Sequence, residues 1–151
     1  MIRRLKVFFL SAGLVFILDQ ASKYLIKQLL GPEVVRPLIP GLVNLVRVWN
    51  PGVAFGLAQK GPPWLFVLLN LLAIGGLFFY VRTKDERANQ LFCGLIAGGA
   101  LGNLLDRLLH GQVFDFLDFY LGRYHWPAFN LADAAITLGV IGLLLRSLAR
   151  P

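Results

Sequence analysis

Cys93 is the only cysteine in the chain, so an intramolecular disulfide and a thiolate metal cluster are both excluded. It lies inside an apolar run and is expected to be a packing residue. Histidine is nearly as scarce: His110 and His125 stand 15 residues apart in polar sequence, and neither an HExxH pair nor a GxSxG elbow occurs. Metal-dependent and serine hydrolases therefore lack their parts, and each histidine is expected at a membrane interface rather than as a ligand. Internal repeats and low-complexity tracts are absent. The basic start (Arg3, Arg4, Lys6) and the apolar run Val7 to Leu18 look like a secretory signal, but Asp19 and Lys23 interrupt the run and no small-x-small cleavage site follows. The segment reads as an uncleaved first helix.

What the chain has in excess is apolar sequence. Hydrophobic residues make up 57%, aromatic residues 13%, and the mean hydropathy is +0.67, more than a soluble core requires. A helix needs about 20 residues to cross a hydrocarbon slab roughly 30 Å thick. Four segments approach or exceed that length: 7–30, 64–81, 91–109 and 129–145. The second is the cleanest, with Asn70 its only strongly polar side chain. The expected fold is membrane α-helical, a single integral-membrane domain over 1–151, with a small β-rich element at about 31–63 between the first two helices.

The formal net charge of +7 raises the question of nucleic acid, but the cations form short clusters beside the apolar segments and no continuous stripe. No nucleic-acid partner is expected. Arg3, Arg4 and Lys6 precede the first span, Arg82, Lys84 and Arg87 join the second to the third, and Arg146 and Arg150 follow the fourth. An even number of crossings puts all three clusters on one side, which the positive-inside rule makes cytoplasmic. Both termini are then cytoplasmic, and the 31–63 stretch lies on the opposite face. That stretch is rich in proline; Leu42 to Trp49 is strand-like, Asn50-Pro51-Gly52 supplies turn chemistry, and Val53 to Leu57 is a second short apolar run. Trp49, Phe55 and Trp64 suit the membrane interface. The stretch from His110 to Ala128 reads as a loop on the same outer face.

Ionisable groups within spans are expensive, roughly 2.5 to 3.5 kcal/mol for a central charge on insertion scales, so each needs a partner or a purpose. Asp19 and Lys23 are four apart on one helical face and can pair with each other and with backbone groups nearby. Asn103, Asp106 and Arg107 make one side of the third span polar, while Gly98, Gly99 and Gly102 let another helix approach closely. Asp106 reads either as half of an ion-paired helix end or as part of a site. A guanidinium such as that of Arg107 can hold a carboxylate ionised or position a carbonyl. Asn130 opens the fourth helix with Asp133 three residues on. Asp133 would be a plain helix-start carboxylate if no second acid faced it. Asp115 and Asp118, in the preceding loop, offer that second acid. Two carboxylates brought together hold one proton and one charge between them, which is what metal-free peptide hydrolysis needs: one activates water, the other serves the scissile carbonyl and the leaving nitrogen.

Five motifs in order carry a family resemblance: Asp19-Gln-Ala-Ser-Lys23, Asn50-Pro-Gly-Val-Ala-Phe-Gly56, Gly98-Gly-Ala-Leu-Gly-Asn-Leu-Leu-Asp-Arg107, Val113-Phe-Asp-Phe-Leu-Asp118 and Phe129-Asn-Leu-Ala-Asp-Ala-Ala-Ile136. Together they span nearly the whole chain, which resembles the lipoprotein signal peptidases (signal peptidase II). The resemblance implies a catalytic dyad of Asp115 and Asp133, with Asp118 secondary. It puts Asp19, Lys23, Asn50, Gly52, Asn103, Arg107, Asn130 and Ala132 at supporting or substrate-contacting positions, and Asp106 belongs with them as a site-supporting residue. It implies four helices in the bacterial inner membrane, a β-rich periplasmic part, and an active site toward the periplasm. The substrates would be diacylglyceryl-modified prolipoproteins cut before the lipid-modified cysteine, with membrane lipid as the medium, globomycin as inhibitor, and neither cofactor nor metal. Val53 departs from the alanine often found there. Two other readings stand beside this one: a small proton- or ion-coupled carrier whose path is lined by Asp19, Asp106 and Asp133, and a membrane assembly protein whose glycine-rich third helix binds a partner.

Overall fold

A computed structural model describes residues 5–52, 62–84 and 86–149. The apolar run Val53 to Leu57, with Phe55 and the Val53 to Gly56 half of its motif, lies outside the described residues, as do Lys60, Arg3, Arg4 and Arg150. Four helices are long and apolar enough to cross a membrane: α1 (Lys6–Leu29), α2 (Pro63–Thr83), α3 (Arg87–His110) and α4 (Leu131–Leu148). Their large apolar side chains point outward. Ile17, Leu72, Phe79 and Leu144 are all more than half exposed, which water would penalise and lipid does not.

Small residues do the packing instead. Helix α3 is the central one, against which α1, α2 and α4 all lie. A Cβ added at Gly98 would overlap the Ala12 backbone of α1, one at Gly99 the Ala132 carbonyl of α4, and one at Gly102 the Asp19 carboxylate. Backbones this close exchange dispersion contacts that lipid tails cannot match. Cys93 is fully buried in a cluster with Leu5, Phe8, Ala12, Val81 and Ala97. At that same end Arg146 hydrogen-bonds Asn89 and pairs with Glu86, tying α4 to the start of α3.

At the opposite end four antiparallel strands form one sheet in chain order: β1 (Arg36–Ile39), β2 (Val43–Asn50), β3 (Val113–Leu121) and β4 (Tyr124–His125). The β element between α1 and α2 is thus present as β1 and β2. The stretch from His110 to Ala128, expected as a loop, supplies the other two strands. Apart from Asp115 and Asp118 the run Val113 to Tyr120 is apolar or aromatic, and β2 gives it a ladder partner. An extra residue on β2 between Leu45 and Val48 shifts the register against Leu117 and Asp115. Such a bulge changes which side chains share a face. Beyond it Val48 faces Asp115 and Asn50 faces Val113, so Asn50 and Asp115 lie on one face of the sheet. The carbonyl of Phe129 accepts from Phe116 and Leu117, and its amide donates to Leu117, which straps the chain entering α4 against β3.

The tight α3 contacts predict that Gly98→Val costs about 1 to 3 kcal/mol through overpacking. Gly13→Ala, where an added Cβ meets no neighbour, should be neutral or stabilising by up to about 1 kcal/mol. Thermal unfolding of both variants in detergent checks the contrast.

Candidate active site

Where the helices meet the sheet, Lys23 is 1% exposed. Its ammonium has three hydrogens and meets three acceptors: Asp19 Oδ2 at 2.8 Å, Asp106 Oδ2 at 2.9 Å and Asn103 Oδ1 at 3.2 Å. The carboxylates pass the connection on. Asp19 Oδ1 accepts from the Ala132 amide at 3.0 Å, at the start of α4, and Asp106 Oδ2 accepts from the Phe114 amide at 3.1 Å, on β3. Gln20 adds bonds to Asp19 and to the Gly102 carbonyl. One buried cation thereby joins α1, α3, α4 and β3.

Because an ammonium only donates, Asn103 must turn its oxygen toward Lys23, which leaves its Nδ2 to donate to Asp133 Oδ1 at 2.8 Å. Asn130 also uses Asn103 Oδ1, at 3.1 Å, and reaches Asp115 Oδ1 at 2.7 Å with the same amide nitrogen. Its own oxygen accepts from the Asp133 amide at 3.0 Å, while Asp133 Oδ2 accepts from the Asn130 amide at 3.3 Å. This is a capping box that satisfies the start of α4. Asn130 thus holds both aspartates. On the other side Asn50 Nδ2 donates to Asp115 Oδ2 at 3.0 Å, and Asn50 Oδ1 accepts from the Gly52 amide at 3.0 Å. Arg107 donates to the Gly52 carbonyl at 3.0 Å and lies over the Phe66 ring.

These groups border an open cavity of about 370 Å³, lined among others by Asn50, Gly52, Asn103, Arg107, Asp115 and Asp133. Burial pushes the Asp115 carboxyl up to about 7, helped by the charge of Asp133 and opposed by the amides of Asn50 and Asn130. Near neutral pH the pair can therefore carry one proton, and it has the makings of an acid and a base in one cavity.

The predicted residues fall into two layers. Asp115, Asp133, Asn50, Gly52, Asn103 and Arg107 line the cavity, whereas Asp19, Lys23, Asp106, Ala132 and Asn130 stand behind it and fix its walls. Asp106 is thus an ion-paired residue that also holds β3. Arg107 meets carbonyls, and no ion pair with Asp115 or Asp133 occurs among the described residues. Asp118 is not brought to the cavity: it accepts from Asn44 at 3.0 Å and lies 2.9 Å from His125 Nδ1. His125, expected as a plain interfacial residue, therefore has a specific partner. Asn70 and Thr137 also line the cavity. Neither was picked out as a site residue, though Asn70 as the lone polar group of an apolar span was a usable signal.

Fold and cavity together define a multi-pass membrane protein with a paired-carboxylate site where its helices meet an antiparallel sheet. Comparison with known proteins narrows this. The family model for signal peptidase (SPase) II matches residues 11–149. The chain is 40% identical to the lipoprotein signal peptidase of Syntrophus aciditrophicus, covering 92% of this chain and 90% of that one. It is 45% identical to that of Cupriavidus taiwanensis, over 92% and 81%. A solved bacterial membrane enzyme superposes with a TM-score of 0.85 at 31% identity, covering 95% of this chain and 94% of the other. The chain belongs to the signal peptidase II family.

Lys23→Met would leave two buried carboxylates without their cation. Removing one partner of a buried pair typically costs about 3 to 5 kcal/mol, and the variant should unfold at lower temperature in detergent or fail to accumulate in the membrane.

Proposed function

We propose that this chain is an intramembrane aspartic endopeptidase that removes signal peptides from diacylglyceryl-modified bacterial prolipoproteins, cutting before the lipid-modified cysteine. The reading rests on family membership for the substrate class. For the chemistry it rests on one observation: Asp115 and Asp133 line the same cavity and are both held by Asn130. With one proton on the pair, the ionised carboxylate takes a proton from water as its oxygen attacks the scissile carbonyl. The protonated carboxyl hydrogen-bonds the carbonyl oxygen, and the tetrahedral intermediate collapses as a proton passes to the leaving nitrogen. The neutral amides of Asn50, Asn103 and Asn130 orient the carboxylates without adding charge. The guanidinium of Arg107, in the wall, is available to a substrate carbonyl.

In this reading residues 1–151 act as one integral-membrane unit in the bacterial inner membrane. The clusters around Lys6, Arg82 to Arg87 and Arg146 face the cytoplasm, and the sheet and cavity face the periplasm. A bond beside a lipid anchor lies near the outer leaflet, where the carboxylates would then be. Globomycin-type inhibitors would occupy the cavity. A carrier is disfavoured because the acids gather at one end of the helices, around Lys23 and Asn130, rather than reaching through several spans.

The test is cleavage of a diacylglyceryl-modified prolipoprotein by the purified protein in detergent. Asp115→Asn and Asp133→Asn should both lose turnover by at least about a thousandfold while keeping the wild-type unfolding temperature. Full activity in either folded variant removes that residue from the mechanism.

The pH dependence has a definite sign. The working pair holds one proton, and the raised Asp115 gives it up as pH rises through about 7. The wild-type kcat/KM should accordingly fall about tenfold per pH unit on the alkaline side of that value. A profile flat from pH 6 to about 9 would contradict a proton shared with Asp115.

A further inference from the structure

Helix α2 is apolar from Trp64 to Val81 apart from Asn70. A polar side chain in a lipid-facing span is costly unless it has work to do. Its Nδ2 donates to the Phe66 carbonyl at 2.8 Å, one turn back on the same helix, which binds it to no other element. Among the described residues its Oδ1 accepts from no donor. Yet Asn70 lines the cavity of the two aspartates, together with its neighbour Leu69 and with Phe66 one turn before it. The facing wall is α4, which presents Asp133, Ile136 and Thr137 at the same helical spacing. Thr137 likewise donates to its own helix, at the Asp133 carbonyl 2.8 Å away. Both helices pack on α3, and the cavity runs between them.

Position decides what would fill this part of the cavity. From the start of α2 to Asn70 is seven residues, about 10 Å along the axis, and Thr137 lies one turn further from the sheet than Asp133. Thr137 is therefore on the bilayer side of Asp133, and Asn70 lies one turn deeper along α2 than Phe66, whose ring is beside Arg107. A peptide entering the cavity must be extended for its scissile carbonyl to be reached, and its helical hydrogen bonds are broken there. Where water does not replace the lost helical partner, each freed N–H needs an acceptor from the protein.

We propose that Asn70 is a substrate-contacting residue: its Oδ1 accepts a main-chain N–H of the signal peptide within the few residues preceding the scissile bond. This rests on the peptidase reading above. The contact selects an extended backbone rather than a side chain, so it suits a protein that must process many sequences. It forms when the peptide binds, and it contributes chiefly to binding rather than to the chemical step.

The experiment uses the full-length protein in detergent and synthetic lipopeptides carrying a diacylglyceryl cysteine. Asn70→Leu should raise KM about tenfold with kcat changed less than about threefold and the unfolding temperature unchanged, as expected for one lost neutral hydrogen bond. Asn70→Gln, which keeps an acceptor, should recover part of the loss. Methylating the backbone nitrogen of each of the preceding residues in turn provides a cycle: at one position the wild type should lose about as much as Asn70→Leu does, and Asn70→Leu should lose nothing more. An unchanged KM in Asn70→Leu, or additive losses at every methylated position, overturns the contact. Parallel falls in kcat and unfolding temperature make Asn70 structural and also overturn it. A wild type that cleaves no lipopeptide overturns the peptidase reading and this inference with it, whereas a cleaving wild type with an indifferent Asn70→Leu sinks the inference alone.

Discussion

The ammonium of Lys23 is the group on which the rest of the arrangement depends. A cation buried at the membrane end of a helix bundle persists only if every hydrogen is satisfied and its charge is compensated, and here Asp19, Asp106 and Asn103 meet both demands. The consequence reaches beyond charge. Since the ammonium can only donate, the polarity of each following bond is set: Asn103 offers its oxygen inward and its amide hydrogens outward, and Asn130 is constrained in the same way. The two cavity aspartates then accept from amides on both sides. A chain of bonds that starts at a buried charge thus sets which atoms of Asp115 and Asp133 can face a ligand.

That arrangement needs the helices close together, and the spacing comes from α3. Its glycines bring the Ala12 backbone of α1 and the Ala132 backbone of α4 within a distance that any side chain would prevent. The same approach brings Asp19 to the Ala132 amide and so joins α1 to the start of α4. Most of the apolar bulk faces the lipid side, where it costs nothing. Packing by small residues and a buried polar network are therefore two parts of one solution to folding without a water-driven core.

The sheet supplies the other half of the site. Asp115 is held where it is by the strap from Phe129 and by pairing with β2, and the bulge between Leu45 and Val48 puts Asn50 on its face. Asp118, three residues along the same strand, belongs to the other face and to Asn44 and His125. The identity of the two acids is the same, but their environments are not. Burial and the field of Asp133 raise the pKa of the first, whereas the second is bound to Asn44 and His125 on the opposite face.

Four spans could be read directly, because an apolar run of about 20 residues in such a composition has one stable setting, a helix across lipid. The Asp19–Lys23 pair was legible for a similarly local reason, since residues four apart share a helical face. The pairing of Asn130 with Asp133 was legible too, as a helix start. The loop assignment for His110 to Ala128 failed because a strand is defined by its partner, and β2 lies more than 60 residues earlier in the chain. Asn70 was visible as an oddity but not as part of a wall. The sequence by itself determined the membrane fold, the helix-local pairs and, through its motifs, the family, since periodicity and order along the chain are enough for these. Only the tertiary structure decided that Lys23 serves two carboxylates, that Asp115 rather than Asp118 lines the cavity, and that Asn130 holds both aspartates. Those facts depend on register and close approach between segments far apart in the chain, which no local spacing encodes.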